Sequence, residues 1–99
     1  MLVLFVVSKF QETGTLFGRA EELVKAGNMV QFLFIQEGCY HSADKDLIKA
    51  LDLTDGLYAL REDCIALGII DDTAELVRTI DYCDWVELLE ACDRVVSWT

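Results

Sequence analysis

Proline is absent from the 99 residues, and no low-complexity tract interrupts them, so the chain shows no linker and no domain boundary. No internal repeat of about 20–50 residues is visible, which argues against a solenoid or a repeat array. The length is close to the common size of one domain. With 54% hydrophobic residues, the chain has enough apolar side chains for a sizeable core. We therefore predict one domain over residues 1–99.

Long apolar runs are missing as well. The start of the chain, MLVLFVV, is far shorter than the ~20 apolar residues that a membrane-spanning helix needs. It is not typical of a signal peptide either, because no basic segment precedes it and no small-residue cleavage site follows it. The sequence therefore predicts a cytoplasmic protein without a membrane partner.

Positive charge is scarce, because 8 lysines and arginines face 18 aspartates and glutamates and the net charge is −10. Residues 61–99 are the more acidic part, with ten acids against three arginines. Such a surface repels phosphate backbones, which excludes direct nucleic-acid binding. The acidic residues fit either a solvated surface that aids solubility or an acidic face that docks a basic partner.

Recognisable cofactor and catalytic motifs are also lacking. The chain has no C-x-x-C pair, no G-x-G-x-x-G, no Walker sequence and no G-x-S-x-G elbow. Cys39 and His41, the only histidine, have no second ligand pair at zinc spacing. We therefore predict neither a metal nor a cofactor. The hydrophobic content builds a core without disulfides, so the four cysteines are expected as free thiols.

Apolar runs and helical spacing alternate along the chain. Short, mainly apolar stretches predict five strands, at residues 2–7, 30–35, 57–60, 76–80 and 95–98, and the first of them is apolar throughout. Amphipathic spacing and helix-start residues predict four helices between them, with Ser42 and Asp81 as N-caps of the second and the fourth. This alternation predicts an α/β fold with an open, mostly parallel five-stranded sheet and helices on both faces.

Three of the four cysteines follow predicted strands, and in such sheets ligands bind beyond the carboxyl ends of the strands. Cys39 follows the second strand, and Cys64 and Cys83 lie in the first turns of the third and fourth helices. A helix N-terminus lowers the pKa of a thiol, and a cationic His41 two residues from Cys39 would do the same. Cys39, His41 and Cys64 are thus the candidate catalytic residues. Alternatively, each of these three cysteines is an ordinary buried core residue. Cys92 is predicted to be one.

Three segments together resemble one known family. FIQEGCYHSA (34–43) is similar to the (D/E)-G-x-Y segment of the DsrE/DsrF/DsrH sulfur-relay family. LYALREDCIALGI (57–69) and TIDYCDWVELLEACDRVVSW (79–98) resemble the DsrH/TusB-like branch of that family. The segments occur in the order of the family, so the resemblance implies a single DsrH/TusB-like domain over residues 1–99. It also implies a flavodoxin-like three-layer α/β/α fold.

The resemblance further implies a place in persulfide transfer, as in 2-thiolation of the tRNA wobble uridine or in sulfur oxidation. The carrier cysteine of DsrE-type subunits corresponds to Leu60 here, and the region of the first-helix cysteine of some DsrH proteins, around Ala20, has none. We therefore expect a non-catalytic assembly partner of paralogous DsrE/DsrF-like subunits, or of itself, served by a persulfide donor protein. The alternatives are a sulfur carrier that uses Cys39 and a stand-alone homo-oligomer that binds a small molecule.

Overall fold

The computed structural model describes residues 1–52 and 54–98, and these residues form a five-stranded, fully parallel sheet. The strands are β1 (Leu2–Val7), β2 (Met29–Phe34), β3 (Gly56–Leu60), β4 (Val77–Ile80) and β5 (Arg94–Trp98). Their order across the sheet is β4-β3-β2-β1-β5, with β4 and β5 at the edges. In the centre, Phe5 of β1 pairs with Phe32 on one side and with Val96 on the other. The predicted α/β class and the parallel sheet are confirmed.

Helical segments connect the strands. They are α1 (Gly14–Lys25), α2 (Lys45–Ala50), α3 (Arg61–Ala66) and α4 (Tyr82–Ala91), with 3-10 helices at Gln36–Ala43 and Ile70–Asp72. We call Gln36–Ala43 the 3-10 segment. The predicted N-cap Asp81 is confirmed, since its carboxylate accepts a hydrogen bond from Asp84 N at 2.9 Å in a capping box.

The predicted start of the second helix at Ser42 was wrong. The Ser42 hydroxyl is buried and donates to the carbonyl of Cys39 within the 3-10 segment. Asp44 takes the capping role instead, because its carboxylate accepts a hydrogen bond from Leu47 N at 3.2 Å. Helix α2 therefore begins at Lys45, and the residues before it form tighter 3-10 turns.

The helices lie on both faces of the sheet and complete a three-layer arrangement. On one face, side chains of α1, α2, α3 and the 3-10 segment pack with Phe5, Phe32 and Phe34. On the other face, α4 packs over Leu4 and Leu33. From β1 to β4, each new strand is added on the same side of the one before it. The chain then crosses back over the sheet and adds β5 on the other side of β1. Right-handed crossovers in opposite directions put their helices on opposite faces, which accounts for the position of α4.

The helices of residues 1–52 and 54–98 lack the combination of length and apolarity that crossing a membrane would require. The longest, α1, has 12 residues and carries charged side chains such as Arg19, Glu21 and Glu22 on its exposed side.

Candidate functional site at the carboxyl edge of the sheet

The parallel strands bring the connections after β2, β3 and β4 to the same edge of the sheet. The 3-10 segment follows β2, α3 follows β3, and α4 follows β4. Cys39, Cys64 and Cys83 therefore start from one edge, as the sequence predicts. Their surroundings differ sharply, because Cys39 and Cys64 are buried whereas Cys83 is exposed.

The 3-10 segment is clamped to the end of β1. A Cβ atom at Gly38 would lie 2.0 Å from the carbonyl oxygen of Val7, so only glycine fits here. Ile35 N donates to the same carbonyl at 2.9 Å, and Gln36 N donates to Asp63 Oδ2 of α3 at 2.7 Å. Gln36 has a positive φ of 49°. These contacts turn the chain sharply after β2 and direct Cys39 inward, toward α3.

The structure brings Cys39 and Cys64 together in a closed cluster, and both side chains are 0% exposed. Cys39 Sγ lies 3.3 Å from the carbonyl oxygen of Phe34 and 4.0 Å from that of Leu60, the residue that begins the first turn of α3. Cys39 therefore lies beside the turn of α3 that leads to Cys64, and the two side chains belong to one buried cluster. We call Cys39 and Cys64 the thiol pair.

The two members of the thiol pair have opposite acidities. The pKa of Cys39 is raised, first by its hydrogen bond with Cys64 and then by burial. The pKa of Cys64 is lowered by its interaction with the neighbouring Cys39 thiol, although burial opposes this effect. A first proton therefore leaves from Cys64, and a second would create two adjacent buried charges.

His41 does not assist Cys39. The 3-10 turns direct the imidazole to the carbonyl oxygen of Lys9, which lies 3.1 Å from Nε2. The ring is 4% exposed and packs against Phe10, Phe17 and Phe34, with centroid distances of 4.9, 5.3 and 5.6 Å. Burial lowers the pKa of His41, so the ring is neutral at pH 7 and supplies no cation for a thiolate.

The lowered pKa of His41 predicts a pH-dependent stability. Below about pH 6.5, the unfolded chain binds a proton at this imidazole that the folded chain does not, so the free energy of unfolding falls as the pH is lowered. The slope from this group is at most about 1.4 kcal/mol per pH unit. We expect His41→Gln, which keeps an N–H donor but does not titrate, to have a shallower slope. Urea unfolding at stepped pH values from 7 downward measures it, and equal slopes in both proteins would contradict this assignment.

The other two cysteines lie apart from the thiol pair. Cys83 is exposed in the first turn of α4. Cys92 ends α4, half-buried against the second face, where its Sγ donates to the carbonyl of Leu89 at 3.4 Å. Among residues 1–52 and 54–98, no group of three or more histidine, cysteine or acidic side chains is arranged to hold a metal ion.

A separate groove lies between α1 and α2. It has a volume of about 470 Å³ and is lined mainly by apolar side chains, including Phe17, Val24 and Leu51. Neither His41 nor a member of the thiol pair borders it. A small molecule bound in this groove would therefore not contact the predicted site residues. This disfavours the alternative of a homo-oligomer that binds a small molecule at those residues.

Sequence reasoning missed Asp63 and Ser42 as organising residues. Asp63 anchors Gln36 across the edge, and the Ser42 hydroxyl bonds to the carbonyl of Cys39. The available signal was Gly38, four residues after the end of β2, since a glycine in such a turn indicates a close backbone approach. It did not identify which residues the turn would meet.

Comparison with known proteins agrees with the resemblance seen in the sequence. A family model described as "DsrH like protein" matches residues 18–95. The chain belongs to the DsrH-like family. It is also similar to the curated "Protein TusB" of Photorhabdus laumondii, with 34% identity over 68 residues that make up 67% of this chain and 72% of that protein. These matches confirm the DsrH/TusB-like branch.

A solved structure confirms the fold of this DsrH-like chain. The ychN protein from E. coli superposes on this chain with a TM-score of 0.72. The superposition covers 98% of this chain and 97% of the ychN protein. The identity is 7%, so the likeness concerns the fold alone. In this fold Leu60, at the position that the resemblance assigns to the DsrE-type carrier cysteine, is the buried last residue of β3.

Proposed function

We propose that this DsrH-like chain is a subunit of a cytoplasmic sulfur-relay system and acts as a non-catalytic assembly partner of DsrE/DsrF-like subunits. Membership of the DsrH-like family supports the sulfur-relay role. The observation that carries the assembly role is an exposed apolar surface on α4 and β5. The system would pass persulfide sulfur toward tRNA wobble uridine 2-thiolation or serve sulfur oxidation.

Helix α4 has apolar residues on two sides. Trp85 and Leu88 are half-buried against the sheet. Tyr82, Val86 and Leu89 are exposed at i, i+4 and i+7, which aligns them along one flank of the helix, next to its buried side. A soluble helix with one covered side normally carries polar residues on the other, so a second apolar stripe indicates a surface that meets another protein.

The sheet beside α4 is incompletely covered. A helix is about 10 Å wide, whereas five strands at about 4.8 Å spacing extend across nearly 20 Å. In the described residues, α4 is the one helix on this face, and Val95 of β5 remains exposed. Because β5 is an edge strand, its outer backbone groups also lack a neighbouring strand in this chain. We define Tyr82, Val86, Leu89 and Val95 as the α4–β5 surface.

A related α/β subunit fits the α4–β5 surface better than a nucleic acid or a small ligand would. The surface is apolar, and acidic residues such as Glu87 and Glu90 lie beside it. Apolar contact with a polar rim is the usual composition of a protein–protein interface. Family membership points to DsrE/DsrF-like chains as the occupant, and a second copy of this chain is the competing outcome.

The carrier alternative, with Cys39 as the acceptor of sulfur, has less support. A thiol that accepts sulfur from a donor protein needs an accessible thiolate. Cys39 is buried and its pKa is raised, while the exposed Cys83 lies on α4 away from the thiol pair. Transfer of sulfur to Cys39 would require the 3-10 segment to open.

The assembly role predicts that charge on the α4–β5 surface abolishes complex formation. The chain is co-expressed with the DsrE- and DsrF-like subunits encoded by the same genome, and the complex is sized by light scattering after gel filtration. We expect the wild type to co-purify as a hetero-oligomer and Val86→Glu/Leu89→Glu to bind at least about 100-fold more weakly, since buried unpaired charges cost several kcal/mol.

Ile65→Glu is the matched control for that experiment. Ile65 is 57% exposed on α3, comparable to Val86 at 52%, but it lies outside the α4–β5 surface. We expect this variant to assemble like the wild type. A self-associated wild type that ignores the other subunits would replace the proposed partner with a second copy. A chain that stays monomeric with every subunit offered would refute the assembly role.

A further inference from the structure

The thiol pair has no part in the proposed assembly role, yet its arrangement is chemically specific. Cys39 and Cys64 come from different connections of the sheet, and each is 0% exposed. Cys39 Sγ approaches the carbonyl of Leu60, from which α3 begins, so it lies over the helical turn that carries Cys64. Two free thiols in one buried cluster, rather than a lone buried cysteine, are therefore enclosed at the functional edge.

Apolar packing alone does not account for this choice of residues. The cluster around the thiol pair is otherwise made of residues such as Phe34, Ile48 and Ala59. A thiol donor at this position requires acceptors, and Cys39 has Phe34 O at 3.3 Å while Ser42 bonds to the carbonyl of Cys39 itself. The pair also has too few ligands for a zinc site, which takes four.

We propose that Cys39 and Cys64 form a redox-active pair, which small oxidants of the peroxide class convert to an intramolecular disulfide between the 3-10 segment and α3. The lowered pKa of Cys64 makes it the attacking thiolate, and the Cys39 thiol in contact with it resolves the intermediate. This proposal is independent of the assembly role, because it concerns the opposite face of the sheet from α4.

The chemistry balances with hydrogen peroxide as the oxidant. The Cys64 thiolate attacks one peroxide oxygen, the O–O bond breaks, and Cys64 sulfenic acid and hydroxide form. The Cys39 sulfur then attacks the Cys64 sulfur, the S–O bond breaks, and the hydroxyl group leaves as water with the proton of the Cys39 thiol. Two thiols are oxidised by two electrons in total, and peroxide is reduced to water.

Burial makes the thiol pair selective for small reagents. Peroxide is little larger than water, so it needs only a small fluctuation of the structure to reach the pair. A bulky alkylating reagent or the persulfide of a donor protein requires the 3-10 segment to separate from β1, which the Val7–Ile35 hydrogen bond and the close approach of Gly38 oppose. We therefore expect fast alkylation of the exposed Cys83 and slow alkylation of Cys39 and Cys64 in the native chain.

The test uses the full reduced chain with Cys83→Ala and Cys92→Ala, so that the thiol pair alone can react. After treatment with hydrogen peroxide, the chain is denatured, alkylated and mapped by mass spectrometry without reductant. We expect a mass loss of about 2 Da, one linked peptide pair containing Cys39 and Cys64, and recovery of both thiols with dithiothreitol. The thermal midpoint is expected to rise by about 10 °C, because the cross-link closes a long loop in the unfolded chain.

Two further variants keep the test decisive. Cys39→Ser in the same background removes the resolving thiol but keeps a hydroxyl donor beside Cys64, and we expect it to stop at Cys64 sulfenic acid, which dimedone labels once the chain is denatured. Cys64→Ala is expected to resist peroxide at Cys39. The proposal is overturned if the peroxide-treated parent chain retains both thiols, or if Cys39 and Cys64 reach sulfinic acid without becoming linked. The mapping of the parent chain is sufficient even where a variant folds poorly.

Discussion

Gly38→Ala is expected to destabilise the fold by about 3 kcal/mol and to open the site at the carboxyl edge. The added Cβ would lie 2.0 Å from Val7 O and 2.8 Å from Val7 C, and both atoms belong to the backbone of a central strand. Backbone in the middle of a parallel sheet cannot move aside as the end of a flexible side chain can. The 3-10 segment must therefore shift away from β1.

Denaturant unfolding measures the stability loss, and the rate of alkylation of Cys39 in the native chain measures the opening. Gly18→Ala is the matched control, because a Cβ at Gly18 meets nothing within 4 Å and the residue lies inside α1. We expect that control to gain about 0.5–1 kcal/mol from helix propensity. If Gly38→Ala unfolds at the same denaturant concentration as the wild type, the close approach is not a constraint on the fold.

Phe32→Ala is expected to remove about 3–5 kcal/mol, which approaches the whole stability of a domain of this size. Phe32 lies in β2, and its ring contacts Phe5, Phe17 and Phe34 at centroid distances of 5.2, 5.6 and 5.9 Å. Alanine would leave a cavity between the sheet and α1, because the neighbouring rings are held by β1, β2 and α1 and cannot collapse into it.

Thermal unfolding followed by circular dichroism tests this expectation, with Phe10→Ala as the matched control. Phe10 is 46% exposed and contacts Tyr40 and His41 at the surface of the edge, so its removal is expected to cost about 1 kcal/mol or less. A Phe32→Ala protein with a midpoint near that of Phe10→Ala would show that the aromatic cluster is not the centre of the core.

The strands were predictable because each is a short, mainly apolar stretch between polar or glycine residues. The prediction at residues 30–35 differs from β2 by one residue at each end, and the other strands agree as closely. Helix α2 was less predictable, since Ser42 and Asp44 are both common N-caps and local sequence does not show which hydroxyl or carboxylate has another partner. In the structure, the Ser42 hydroxyl donates a hydrogen bond to the carbonyl of Cys39, so it does not cap the helix.

The candidate site was predicted in position but not in detail. Parallel strands necessarily end at one edge, so the placement of Cys39, Cys64 and Cys83 at that edge followed from the order of the elements. The contact between Cys39 and Cys64 was not predictable, because it depends on a turn fixed by Val7 and Asp63 from two other elements. The reactivity of Cys39, His41 and Cys64 stays a prediction.

The sequence by itself determined the class of fold, the parallel order of elements and the likeness to the DsrH-like family, because periodicity, chain direction and motif order are local properties. Only the tertiary structure decided that the His41 ring packs among phenylalanine rings and that Cys39 and Cys64 are buried in one cluster near the carboxyl edge. It also decided that α4 has a second apolar side. Burial and contact depend on which elements pack together, and that packing is set by many weak interactions between residues far apart in the chain.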